Sequence, residues 1–184
     1  QIHLLLKNNI KRDLLTNHIE KLPNVQIFAP EIFGLNSEQL TITHATDIIE
    51  VLDGIVGGYR SIILRGFDLC VEAGSRKSFW QRIWAYLTDY YTVDLKSGIV
   101  IEEQSKIKLN DLQHMVEYFL VQTKEIGDNL HKIGISEDKL RILPPMLPDD
   151  MLNINTNKAI DEVIRIGYCG KIAPLWGVKE LIDR

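Results

Sequence analysis

Short apolar runs alternate with helix-length stretches along most of this chain, and glycine, proline or a polar pair closes most of the runs. The runs fall at residues 2–7, 25–29, 61–65, 83–87, 118–122 and 141–143. Runs this short and this apolar read as strands buried on both faces. Helical spacing is expected over residues 9–21, 46–56, 67–73, 108–116 and 123–132. Ile48, Ile49, Leu52 and Ile55 carry the second of these, and Gly57-Gly58 ends it. Thr123 is an N-cap candidate with Glu125 in the first turn, and Gly134 stops the helix after Lys132. Alternation of this kind specifies an α/β fold, a Rossmann-like parallel sheet with helices on both faces.

A further apolar run begins at Val163 and leaves through Gly170-Lys171 into a helical pattern. A backbone that passes through glycine there can approach a phosphate closely. A cation and a helix N-terminus can then hold its negative charge. A strand of that kind needs neighbours that the remaining sequence does not supply, so it reads as the start of a second, truncated domain. Residues 144–160 are rich in Pro, Asn and Asp and form the expected linker. The expected organisation is a domain over 1–143, a linker over 144–160 and the opening of a second domain over 161–184. The N-terminal residues lack an initiator Met and read as a strand with room for residues before it.

The net charge is -4, which argues against a nucleic-acid partner. No apolar run is long enough to cross a bilayer. Cys70 and Cys169 each sit in an apolar pattern and read as reduced core thiols, with a cytoplasmic compartment to match. Arg76, Lys77 and Arg82 form a small basic group that either lies on a solvated face or touches anionic lipid at the inner membrane face. The five histidines lack metal-ligand spacing, and neither a metal nor a cofactor is expected. Ser-His-Asp order, a Walker loop and GxGxxG are all absent, which disfavours hydrolase, NTPase and simple dehydrogenase chemistry.

Ligands of open α/β sheets sit beyond the carboxyl ends of the strands. Arg65-Gly66, Thr88-Asp89 and Gln122-Thr123 occupy such ends. Arg65 can reach a hydroxyl, carboxylate or phosphate, or pair with Asp68 or Asp89. Asp89 can accept from a hydroxyl or cap a turn. Trp84 and Tyr86 read as core, whereas Tyr90 and Tyr91 follow the strand end and can line a cleft.

Residues 123–134 followed by Lys139-Leu-Arg-Ile-Leu-Pro-Pro resemble the end of the N-terminal domain in family 4 (group 1) glycosyltransferases. There a "T-xxx-xxL-xxx-G" helix precedes "kI-xVIPN-GVD". Tyr168-Cys-Gly-Lys-Ile-Ala-Pro-Leu-Trp-Gly-Val-Lys-Glu-Leu-Ile is similar to "yvGRl-xxx-KGv-xxLi", which opens that family's C-terminal domain. Ile63-Leu-Arg-Gly and Trp84-Ala-Tyr-Leu-Thr-Asp resemble the "vRG" and "YLTD" of one subgroup. The resemblance implies a GT-B enzyme of two Rossmann-like domains, metal-independent and retaining. A nucleotide-sugar is the implied donor and a carbohydrate or other hydroxyl compound the acceptor. Gly170 and Lys171 are implied to meet the donor diphosphate, Thr88 and Asp89 to lie where the family's catalytic-site His falls, and Arg65, Gly66 and Tyr90 to face the acceptor. Lys171 keeps the charge of the family's Arg without its fork, and Trp176 stands where the family has a second cation. The implied function is sugar transfer in carbohydrate biosynthesis by a bacterial-type enzyme, with this chain inactive alone. The alternatives are a non-catalytic α/β module that binds a carbohydrate or partner, and a GT-B sugar-nucleotide epimerase or phosphorylase.

Overall fold

Apolar runs become strands where parallel neighbours satisfy their backbone groups. The computed structural model describes residues 1–7, 19, 21–35, 40–94 and 96–144. The chain divides into two units, Gln1–Pro145 and Met146–Arg184, and every described residue belongs to the first. Most of the helix expected over residues 9–21 lies outside the described residues, as do Cys169, Gly170, Lys171 and Trp176, and the linker beyond Pro144.

Strands β1 (Ile2–Leu5) and β2 (Val25–Phe28) form a parallel pair. Helix α1 (Ile42–Ile55) follows. The main sheet contains β3 (Ile62–Arg65), β4 (Ile83–Tyr86), β7 (Val116–Val121) and β8 (Leu140–Ile142), all parallel and in the order β3-β4-β7-β8. Helix α2 (Phe67–Gly74) joins β3 to β4, α3 (Glu103–Leu112) precedes β7, and α4 (Lys124–Lys132) joins β7 to β8. A hairpin of β5 (Thr92–Asp94) and β6 (Gly98–Val100) sits between β4 and α3.

Strand order in the main sheet follows chain order. Successive crossovers of one hand then place their helices on one face. Leu64, Ile83, Ala85, Phe119 and Val121 share a buried cluster with Phe67 and Cys70 of α2, Leu109 and Leu112 of α3 and Leu130 of α4. On the opposite face Ile63 is 62% exposed, Trp84, Tyr86 and Tyr118 are half-buried, and Leu120 is buried. Among the described residues the helices of this cluster share one face of the main sheet. Trp84 and Tyr86 accordingly keep polar partners instead of entering the core. Trp84 Nε1 donates to Glu117 Oε2 (2.7 Å), and the Tyr86 hydroxyl accepts from Gln122 Nε2 (3.0 Å). Arg141 completes that face by stacking over the Tyr118 ring at 4.2 Å.

Two helices start earlier than their apolar spacing predicts. Thr41 Oγ1 accepts the His44 N–H and sets the α1 start at Ile42, ahead of the apolar stripe that begins at Ile48. Helix α3 ends at Leu112, not 116, because Met115 and Val116 already belong to the approach and first residue of β7. Helix α4 matches its expected bounds. The Thr123 hydroxyl accepts the Ile126 N–H (3.3 Å), and Gly134 takes a φ of +102° beyond the end.

Candidate functional site

The carboxyl ends of β3 and β4 are tied together by one carboxylate. Gly66 leaves β3 with φ +109° and ψ 138°, a conformation that glycine alone adopts without strain. This turns the chain so that the Phe67 N–H, at the start of α2, donates to Asp89 Oδ1 (2.8 Å). Asp89 belongs to the loop after β4, and its charge meets the positive end of α2. A Cβ on residue 66 would lie 3.8 Å from Asp89 Oδ2, so that oxygen remains beside an open strip of backbone.

Arg65 is the last residue of β3, and its side chain is exposed. Its guanidinium has no ion pair or hydrogen bond among the described residues, so neither Asp68 nor Asp89 neutralises it. Thr88 is half-buried between them in sequence. Arg65, Gly66, Thr88 and Asp89 thus come to the same sheet edge. Gln122 joins that edge through Tyr86, whereas Thr123 is occupied in capping α4.

Tyr90 is buried, 3% exposed, and packs in the core with Phe67 at 6.4 Å and Tyr91 at 5.0 Å between ring centroids. Burial, with Tyr91 adding, pushes its hydroxyl above the ordinary tyrosine value. The residue expected to face a cleft is therefore largely enclosed, while Tyr91 is half-buried. A polar cavity of about 110 Å³ lies against this loop, lined by Asp89, Tyr90, Tyr91, Thr92, Glu102 and Ser105. Thr92, Glu102 and Ser105 were not legible as site residues. The segment Asp94-Leu-Lys-Ser-Gly98 carries the hairpin signal that would have placed Thr92 beside the start of α3. A second cavity, of about 360 Å³, lies between Gly98 and Ile99 of the hairpin and Lys124, Asp128 and Lys132 of α4.

The basic group is neutralised by α1. Arg76 pairs with Asp47 at 2.6 Å and with Glu50, and Arg82 pairs with Asp53 at 2.8 Å. Only Lys77 of that group is left without an acidic partner among the described residues. Cys70 is a free, fully buried thiol, and burial with the Asp89 charge pushes it up to about 12. Among the described residues no cluster of three or more His, Cys, Asp or Glu could hold a metal ion. No helix of the described residues is long and apolar enough to cross a membrane.

Comparison of the chain with protein-family models, with curated proteins and with solved structures finds no match.

Proposed function

We infer that this chain supplies the acceptor side of a GT-B glycosyltransferase, which moves a sugar from a nucleotide-sugar to an acceptor hydroxyl. One observation carries this reading: an unpaired arginine and an oriented carboxylate follow one another at the carboxyl ends of two neighbouring strands of a parallel sheet. In such a reaction the bond from the sugar carbon to the diphosphate breaks as the bond to the acceptor oxygen forms. Positive charge grows on the sugar and negative charge on the leaving group. Asp89 is anchored through Oδ1 by the Phe67 N–H, so Oδ2 can accept from the acceptor hydroxyl and fix its direction. Thr88 can donate or accept beside it. Arg65 offers a planar fork to a ring oxygen, hydroxyl or anionic substituent of the acceptor. The resemblance assigns the donor diphosphate to Gly170 and Lys171. The buried Cys70 thiol suits a reducing cytoplasmic compartment.

The test is sugar transfer by the protein as its gene encodes it, followed by mass spectrometry across a panel of nucleotide-sugars and hydroxyl acceptors. Arg65→Ala and Asp89→Asn are each expected to lower kcat/KM at least tenfold, about the worth of one charge-assisted hydrogen bond. Transfer at wild-type efficiency in both variants would sink the assignment of this edge. An absence of transfer with every donor would sink the enzyme reading itself.

A further inference from the structure

One register row of the main sheet, at its carboxyl end, has an arginine at each end and no acid. Parallel pairing sets Arg65 of β3 beside Tyr86 of β4, Tyr86 beside Leu120 of β7, and Leu120 beside Arg141 of β8. Residues paired in this way point to one face, here the face away from the core cluster. Arg141 stacks over Tyr118 and donates to the Asp138 and Leu140 carbonyls at 2.7 and 2.8 Å. Neither it nor Arg65 has an acidic partner among the described residues, in a chain whose net charge is -4. Glu117, one row earlier, accepts the Trp84 indole N–H. Between the two arginines the Tyr86 hydroxyl accepts from Gln122 Nε2 at 3.0 Å. Gln122 lies two residues beyond Leu120, so this bond draws the phenol toward the carboxyl ends of the strands. A phenol that accepts from an amide still has its own proton to give, and no described residue takes it.

We propose that the acceptor is an anion, a hydroxyl compound whose carboxylate or phosphate is held by the Arg65 guanidinium and the Tyr86 hydroxyl while its reacting hydroxyl sits on Asp89. The proposal rests on the transferase reading and narrows its acceptor. A guanidinium fork matches two oxygens of a carboxylate or phosphate, and the phenol O–H supplies a further donor. A neutral hydroxyl takes the same hydrogen bonds but forgoes the charge-assisted part. Arg141 adds to the positive field of the row while its own guanidinium stays on Tyr118 and the two carbonyls. Asp89 repels an anionic group, so the anion settles at the arginine and the hydroxyl at the carboxylate, which fixes the direction of the ligand. The spacing narrows the acceptor further. Gly66 directly follows Arg65, and a Cβ there would lie 3.8 Å from Asp89 Oδ2. A ligand that reaches both groups carries its hydroxyl and its charge within a few bonds of one another, as a sugar acid or a sugar phosphate does.

The test is an NMR titration of the full chain with D-glucuronate, D-glucose 6-phosphate and D-glucose, on wild type, Arg65→Gln, Tyr86→Phe and Arg60→Gln. At least one of the two anions is expected to bind about tenfold tighter than D-glucose, the gain from charge-assisted hydrogen bonds. Preference for glucuronate assigns a carboxylate, and preference for the phosphate ester assigns a phosphate. Arg65→Gln should bring the anion down to the affinity of D-glucose. Tyr86→Phe should cut the ratio of anion to glucose affinity about fivefold, a ratio that loss of packing alone does not move. Arg60 is also exposed and without a partner among the described residues, but it precedes β3 at the other end of the strand. Arg60→Gln removes the same charge and should leave the preference intact. Equal loss in Arg60→Gln and Arg65→Gln would reduce the effect to net charge and overturn the proposal. So would a wild type that binds neither anion tighter than D-glucose, or a preference that survives in Arg65→Gln. Anion binding through Arg65 and Tyr86 without any sugar transfer would leave this site standing and remove the transferase reading. Transfer to neutral acceptors alone would do the reverse.

Discussion

Asp53→Ala is expected to cost about 2–3 kcal/mol of folding stability, toward the lower end for a buried pair that loses one partner. Asp53 lies in α1 and is 9% exposed. Its carboxylate takes a two-point fork from Arg82, Nη1 to Oδ1 at 2.8 Å and Nη2 to Oδ2 at 2.9 Å, and also the Tyr59 N–H at 2.5 Å. Removing it leaves a guanidinium whose side chain is only 26% exposed with the Tyr59 and Ser78 carbonyls but no counter-charge, and it strands the Tyr59 N–H. Partial solvation of Arg82 keeps the cost below that of a fully buried pair. The expected fall in Tm is roughly 5–10 °C for a chain of this size. The same carboxylate sets an acid limit. The Arg82 hydrogen bonds hold Asp53 below the ordinary carboxyl value of 3.8, against the upward push of burial and with help from the Tyr59 N–H. A folded value below the unfolded one means stability that is fully present above about pH 4 and is lost as pH falls through the folded value. Wild type should therefore lose stability below about pH 4 more steeply than Asp53→Ala, as measured by urea melts across that range. Parallel acid profiles for the two proteins would contradict the role given to this ion pair.

Gly66→Ala is expected to cost about 2–3 kcal/mol. A Cβ at that position meets nothing closer than Asp89 Oδ2 at 3.8 Å, so crowding contributes little. The cost is backbone strain at φ +109°, of the order of 1–3 kcal/mol for a residue with a side chain. If the chain relaxes instead, the following peptide rotates and the Phe67 N–H loses Asp89, a further ~1 kcal/mol. The two routes separate in a double-mutant cycle. If strain is relieved by breaking the cap, Gly66→Ala and Asp89→Ala together should cost less than the sum of the two single variants. A Gly66→Ala protein within 0.5 kcal/mol of wild type in urea melts, the ordinary scatter of surface substitutions, would show that this turn does not need its glycine.

The strands were legible because their signal is local. Ile62–Arg65 and Ile83–Tyr86 are apolar runs bounded by Gly66, Thr88 and Asp89, and no long-range information is needed to see them. Helix α4 was legible for the same reason, with Thr123 and Gly134 at its ends. The first turn of α1 was not, since Ile42, Thr43 and His44 face solvent and carry no apolar periodicity. Helix α3 was misplaced because it buries so little of its own; Leu109 and Leu112 run straight into the apolar start of β7. That the helices of the core cluster share one face follows from strand order, which no single segment encodes. At the site, Arg65, Gly66, Thr88 and Asp89 could be read as strand ends. The burial of Tyr90 could not, because Phe67 and residues near the start of α3, far away in sequence, create it.

The most direct test of the account is where a sugar acceptor touches this domain. Backbone amide shifts of the full chain, followed by NMR during titration with the best acceptor from the transfer screen, report that footprint residue by residue. The account predicts changes concentrated at Arg65, Gly66 and Phe67, at residues 88–92, and at Glu102 and Ser105. Changes confined to the groove between Gly98 and Lys132, or to the sheet face around Ile63 and Tyr118, would contradict it.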